Sequence, residues 1–253
     1  MPDEVLVEAA DGVMTITLNR PAAKNAITRA LSEGVDAGLR AFEARADLTV
    51  AILTGAGGTF CSGMDLRAFV RGENPMLDHG LAGLTHRPPR KPVIAAVEGY
   101  AVAGGFEIVL ACDLIVAADD ARFGLPEPKR GLVAGSGGLY RLPRRIPYHA
   151  AMELSLTGGF LAAPDAHRYG LVNRLTEPGG ALAAARRLAA EIAANAPLAV
   201  WSTKQIIVES ADWTEEDWSV KQAPIFDPVV RSKDAIEGSL AFAEKRPPVW
   251  RGE

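Results

Sequence analysis

Short apolar runs at Val5–Glu8 and Val13–Leu18 flank Asp11-Gly12, and such a pattern predicts a two-stranded hairpin. Asn19-Arg20-Pro21 ends the second strand, because proline has no N–H to give to a ladder. Between Thr28 and Ala46 apolar and polar residues recur at helical spacing, with Thr28 placed as an N-cap. Thr49–Thr54 is rich in β-branched residues and reads as a buried strand, broken by Gly55-Ala-Gly-Gly58. Arg67 to Arg90 is punctuated by glycines and prolines, which predicts a mobile segment with a short helix. Val93–Val97 is a further strand, followed by Glu98-Gly99, a helix from about Val102 to Cys112, and a strand over Asp113–Ala117. From Pro164 onward the pattern turns alanine-rich and amphipathic, predicting four or five helices. A soft boundary near Ala194 divides a mixed α/β part, residues 1–194, from a helical part, residues 195–253.

Composition narrows this picture to a globular protein. The 253 residues are 48% hydrophobic and 23% charged, enough apolar surface for a large core. The net charge of −4 lacks the basic excess of a nucleic-acid binder, although a few local cations suffice for an anionic ligand. Val93–Cys112, the most apolar region, is interrupted by Glu98, Glu107 and glycines and is read as a core segment rather than a membrane span. The acidic N-terminus carries no leader pattern, so the expected location is the cytoplasm. Cys61 and Cys112 do not make a disulfide framework and are expected as buried thiols. The four histidines show no metal-ligand spacing, so no metal is expected.

Two loops carry candidate chemistry. Phe60-Cys-Ser-Gly-Met-Asp-Leu66 follows a strand and a glycine turn, and Ala103-Gly104-Gly105-Phe106-Glu107 opens a helix after another strand. Glycines let a ligand approach the backbone, and a helix N-terminus presents unpaired N–H donors. Taken singly, each run is equally a tight turn; taken together, two such donors would make an oxyanion hole. Neither is a nucleotide fingerprint. Glu107 falls one turn into that helix, and Glu127 lies in the proline-rich loop Phe123-Gly-Leu-Pro-Glu-Pro128. Carboxylates among apolar neighbours have raised pKa values that suit proton transfer near neutrality, although a solvated or structurally paired glutamate would look the same in sequence. Ser136, in Gly135-Ser-Gly-Gly138, lacks the surroundings of a hydrolase nucleophile and is expected as a helix cap.

The order of segments is more specific than any of them alone. Leu18-Asn-Arg-Pro21, Asn25-Ala26, Leu53-Thr-Gly55, Phe60 to Leu66, Lys91-Pro92, Ala95 to Gly99, Ala103 to Glu107, Cys112-Asp113, Pro126-Glu127, Gly137-Gly138, Gly170-Leu-Val172 and Ala241 to Arg246 follow one another along nearly the whole chain. In this arrangement the sequence resembles the crotonase superfamily, best known for enoyl-CoA hydratases and isomerases. The resemblance implies an α/β fold: a crotonase-like spiral of β-β-α repeats with a C-terminal helical trimerisation region, and assembly as a homotrimer or a dimer of trimers. It implies an acyl-CoA substrate, with coenzyme A part of that substrate and no separate cofactor. By resemblance, Met64 and Gly104 are the oxyanion donors, Glu107 and Glu127 the catalytic pair, and Gly135 a backbone group that places the water. Lys24, Ala26, Ser62, Asp65 and Leu66 fall at substrate-binding positions, as do Phe242 and Lys245 from a neighbouring subunit. The glycine triplet reads Ala-Gly-Gly, Met64 replaces a small residue, and Ala134 stands where proline is common; none of these changes removes a catalytic group. The implied activity is hydration of an enoyl-CoA. The alternatives are an isomerase or specialised acyl-CoA dehydratase, since carnitine-pathway relatives share the Leu-Pro-Glu and Gly-Met-Asp-Leu segments, or a non-catalytic acyl-CoA-binding protein.

Overall fold

The computed structural model describes residues 3–253. β1 (Val5–Ala10) and β2 (Val13–Leu18) pair antiparallel across Asp11-Gly12, both at positive φ as a two-residue primed turn requires. After Pro21 comes α1 (Arg29–Ala44), capped by Thr28, whose hydroxyl accepts the Leu31 N–H at 3.1 Å. β3 (Val50–Gly55) and α2 (Leu66–Val70) precede a small ribbon of β4 (Met76–Leu77) and β5 (Gly80–Leu81). The centre holds β6 (Val93–Val97), β7 (Tyr100–Val102), α3 (Gly104–Ala111), β8 (Leu114–Ala118) and β9 (Arg122–Gly124). Then follow α4 (Gly138–Arg141), α5 (Tyr148–Thr157), β10 (Leu161–Ala162), α6 (Ala163–Arg168) and β11 (Arg174–Thr176). Four helices complete the chain: α7 (Ala181–Ala193), α8 (Pro197–Glu209), α9 (Trp218–Val230) and α10 (Lys233–Glu244).

The large sheet runs β1-β2-β3-β6-β8-β11 and is parallel beyond the hairpin; the small sheet runs β10-β9-β7. The steps from β6 to β7 and from β8 to β9 each leave the large sheet for the small one. Single bridges, Cys61 to Ala101 and Ile27 to Met64, mark corresponding steps in earlier turns of the chain. This is the β-β-α spiral of the crotonase fold.

β3 and β6 are buried on both faces, which explains their unbroken apolar sequence. Val50, Ile52, Ile94 and Ala96 pack on the alanine stripe Ala181, Ala184, Ala185 and Ala189 of α7. Ala51, Leu53 and Ala95 face the opposite core with Leu39 and Phe42 of α1. Glu98 caps α7 from the end of β6, accepting the Gly179 N–H at 2.9 Å and the Ala181 N–H at 2.8 Å.

Three details differ from the sequence reading. The helix expected from about Val102 starts at Gly104, because Tyr100–Val102 is drawn into the small sheet beside β9. The short strands β9, β10 and β11 lie in stretches too brief to show a period of two. The segment between Arg67 and Arg90 has the short helix expected and also firm anchors. Arg29 donates to the carbonyls of Asn74 (3.3 Å) and Met76 (3.0 Å), and Ser32 accepts the Ala82 N–H at 2.8 Å.

Lys91 is only 1% exposed. Its ammonium donates to the carbonyls of Phe42 (3.1 Å), Arg45 (2.6 Å) and Leu48 (2.9 Å), closing the C-terminal end of α1 over the sheet. Lys91→Met would leave three carbonyls without their donor, and we expect it to destabilise the fold by about 3 kcal/mol. Urea unfolding of the two proteins measures this; a loss below about 1 kcal/mol would show the carbonyls finding other partners.

Candidate active site

The loop after β3 is held by Asn25, whose amide nitrogen donates to Ala56 O (2.9 Å) and Thr59 O (2.7 Å). Beyond it, the Ile27 N–H donates to Gly63 O at 2.8 Å and Ile27 O accepts the Asp65 N–H at 2.9 Å. Gly63 and Asp65 therefore supply the bridge, and the Met64 N–H between them stays out of that ladder. Gly63 lies at φ +90, and a Cβ there would stand 2.7 Å from the Ala103 Cβ and 3.5 Å from the Gly104 nitrogen; only glycine lets the two loops approach this closely.

On the opposite side the chain turns from β7 into α3 within one residue. Ala103 takes φ 51 and ψ −130, a region that costs an alanine roughly 1–3 kcal/mol. Its N–H is fixed to Gly124 O at 2.9 Å, and its carbonyl accepts from Phe106 (2.9 Å) and Glu107 (3.0 Å). Gly104 is thus the first residue of α3, with an N–H that has no helical acceptor. A Cβ on Gly104 would sit 3.9 Å from the Met64 nitrogen and 2.8 Å from Leu81 Cδ2. Met64 and Gly104 thus come close together in the wall of one cavity.

All eight residues of α3 are buried, and Glu107, 3% exposed, is its one charged side chain. Glu107 Oε1 accepts the Ser136 N–H at 2.6 Å and the Gly138 N–H at 2.9 Å. Burial pushes the Glu107 carboxyl above its ordinary value, while those two amides and the Arg141 charge pull it part of the way back. Glu127 opens a short 3-10 turn, Glu127–Arg130, after β9. Its Oε2 is buried without a hydrogen-bond partner. Burial raises its pKa, its own backbone N–H opposes this, and the charge of Glu107 raises it further. Both carboxyls are thus held above their ordinary range, with desolvation the leading cause for each.

Met64, Gly104, Glu107 and Glu127 line one cavity of about 820 Å³, a volume within the range of small-molecule sites. Among the described residues, no group of three or more His, Cys, Asp or Glu could hold a metal ion. The Cys61 thiol, pushed up to about 12 by burial, is no nucleophile.

Comparisons with known proteins give the family. Residues 8–253 match the family described as enoyl-CoA hydratase/isomerase. The chain belongs to that family. It is 44% identical over 252 residues to a carnitinyl-CoA dehydratase of Salmonella arizonae, covering 95% of each chain. It is also similar to the crystal structure of an enoyl-CoA hydratase from Mycobacterium tuberculosis H37Rv (58% identity, TM-score 0.97, covering 99% of this chain and 100% of that one). A carnitinyl-CoA hydratase from Mycobacterium avium is 41% identical with a TM-score of 0.80, both chains being covered in full.

The remaining family positions fall in three places. Ser62, Leu66 and Gly135 line the cavity with the four central residues. Lys24, Ala26 and Asp65 stand on the framework beside it. Lys24 ends the turn after Pro21 and its carbonyl accepts the Ser62 N–H at 3.0 Å. Ala26 O accepts from the Arg20 guanidinium. The Asp65 carboxylate caps α2 through the N–H groups of Arg67 and Ala68 and pairs with Arg20 at 3.2 Å. Phe242, on α10 and 88% exposed, and Lys245, the residue that caps the end of α10, do not line the cavity of their own chain. Ser136 is not a helix cap; Gly137 precedes α4, and Ser136 offers its N–H to Glu107. The sequence reading also missed Arg141 and the strained Ala103, for which no spacing rule gives a signal.

Glu127 binds its proton more tightly folded than unfolded, so stability falls as pH rises above the ordinary value of 4.5. Glu127→Gln should therefore unfold at a higher denaturant midpoint than the native protein at pH near 7. That gain should shrink as the pH approaches the ordinary carboxylate range. Denaturant midpoints across pH check the sign, and a native protein equally stable at neutral pH contradicts it.

Proposed function

We propose that this protein adds water across the 2,3 double bond of an enoyl-CoA thioester and catalyses the reverse dehydration. The observation that carries the reading is Glu127 Oε2, buried without a partner in the cavity that also holds Glu107 and the amides of Met64 and Gly104. A buried carboxylate oxygen with no protein partner is an arrangement suited to a substrate or a water molecule.

In this reading the thioester carbonyl lies between the Met64 and Gly104 N–H groups, which stabilise the enolate oxygen as charge develops there. Glu127 protonates C2. Glu107, with Oε1 locked by two amides, holds the attacking water with Glu127 and takes its proton as the oxygen bonds to C3. Both additions occur on the face where the carboxyls lie, giving syn hydration. One proton leaves Glu127 and one arrives on Glu107, so exchange within the pair resets the site. The Gly135 backbone helps to place the water.

Leu66, Phe69, Met76, Leu81, Val133 and Phe160 give the cavity an apolar wall, which suits a hydrocarbon acyl group and a role in fatty-acid metabolism. The carnitinyl-CoA relatives make carnitinyl-CoA the second substrate to test, in the dehydration direction. The intact pair of glutamates favours hydratase chemistry over a simple isomerase or a silent binder. No described helix is long and apolar enough to cross a membrane, and we place the protein in the cytoplasm. Exposed Trp218, Val220, Phe226, Val230, Ile236 and Leu240 on α9 and α10 support a trimer or a pair of trimers built through residues 195–253. In that assembly Phe242 and Lys245 would serve a neighbouring site.

Decay of crotonyl-CoA absorbance measures the reaction, and product analysis separates hydration from double-bond migration. Glu127→Gln and Glu107→Gln should each lower turnover by about 10² to 10⁴; full turnover in either would refute its role. Gly104→Ala keeps its N–H but would place a Cβ 2.8 Å from Leu81 Cδ2 and 3.9 Å from the Met64 nitrogen. It would crowd the space the thioester oxygen would occupy, and should lower the rate by about 10² to 10³. Wild-type rates there would remove the amide slot from the mechanism.

A further inference from the structure

Arg141, in the last turn of α4, takes no part in the chemistry just described, yet its guanidinium spans both walls of the site. It donates to Thr85 O at 2.6 Å and to Ser136 O at 3.4 Å. Thr85 is buried, and its hydroxyl accepts the Leu81 N–H at 2.8 Å. Leu81 stands directly beside Gly104, so this wall borders the oxyanion slot. Ser136, at the other end, gives its N–H to Glu107 at 2.6 Å. Between them lies Gly137 at φ +95, where a Cβ would land on the Arg141 guanidinium. The loop that cradles Glu107 is therefore folded around this one side chain.

We propose that Arg141 is a positioning residue that ties the Ser136–Gly138 cradle to the Leu81–Thr85 wall and supplies the positive charge facing Glu107. This rests on the hydratase reading above. The fork matters because two carbonyls in different segments must be met at once, which a planar guanidinium does and an ammonium does less well. The charge matters because Glu127, the other carboxyl that interacts with Glu107, can supply no positive charge to it. Around Arg141 itself stand Glu107, Tyr140, Cys112 and Arg145; the Cys112 thiol is pushed up to about 12 by burial and stays neutral. With the Arg141 charge removed, Glu107 should hold its proton to higher pH.

Two variants of the full-length protein separate the two contributions. Arg141→Met should move the acid limb of kcat/KM upward by about half a unit or more and lower kcat about tenfold or more through a displaced cradle. Arg141→Lys should return the limb to its wild-type position while leaving kcat reduced, with KM little changed. A purely structural arginine would lower the melting temperature and the active fraction without moving the limb. An unmoved limb in a folded Arg141→Met overturns the electrostatic part, and wild-type kcat in Arg141→Lys overturns the fork. If Arg141→Met does not fold, Arg141→Lys decides by its kcat alone. A ¹³C NMR titration of the Glu107 carboxyl gives the same midpoint without turnover. A wild-type protein inert toward enoyl thioesters would thus refute the hydratase reading, whereas a Glu107 midpoint equal in wild type and Arg141→Met refutes the role of Arg141.

Discussion

A carboxylate inside a helix with no other polar side chain has to find its hydrogen bonds elsewhere in the molecule, because a buried charge left alone is far costlier than folding can absorb. Glu107 is in that position on α3. The donors that meet it come from a loop 29 to 31 residues away, Ser136 and Gly138. That loop is wrapped around Arg141, which reaches across to Thr85, and the adjoining 81–85 turn is fixed to α1 through Ser32. A line of hydrogen bonds thus runs from the first helix to the central acid.

The same economy of partners shapes the opposite side of the cavity. A strand that becomes a helix in one residue leaves the first helical N–H without an acceptor, and Ala103 adopts a disfavoured backbone conformation to make that turn. The ladder to Gly124 and the first turn of α3 hold it there. Met64 is left unpaired for a different reason, since the bridge to Ile27 uses its two neighbours. Unpaired amides, a strained alanine and a partnerless carboxylate oxygen lie together around one cavity. Such concentration of unfavourable groups is typical of a site shaped for a ligand.

Some of this was readable from local pattern. The hairpin around Asp11-Gly12, the Thr28 cap and the strands at Val50 and Val93 follow from local rules, because turn geometry and burial on both faces leave marks on adjacent residues. Glu107 could be placed one turn into a helix for the same reason. β7, β9, β10 and β11 left no such mark: strands of two or three residues are defined by their neighbours in the small sheet or at the large sheet's edge. The residue pattern singled out the Met64 and Gly104 loops and Glu127 as candidates, and family resemblance joined them into one site, which spacing alone could not have done.

What the amino-acid sequence determined by itself was therefore the local elements, the apolar helix bearing one acid, and the membership of a family with a known order of segments. Local backbone preference and hydrophobic period act over a few residues, so their trace survives in one dimension. Tertiary structure alone decided which groups meet. It set Met64, Gly104, Glu107 and Glu127 around one cavity. It turned Ser136 from an expected cap into a donor, and it left Phe242 outside its own chain's cavity. Those outcomes depend on pairings between segments tens of residues apart, and such contacts are set by the packing of the whole core rather than by neighbours in sequence.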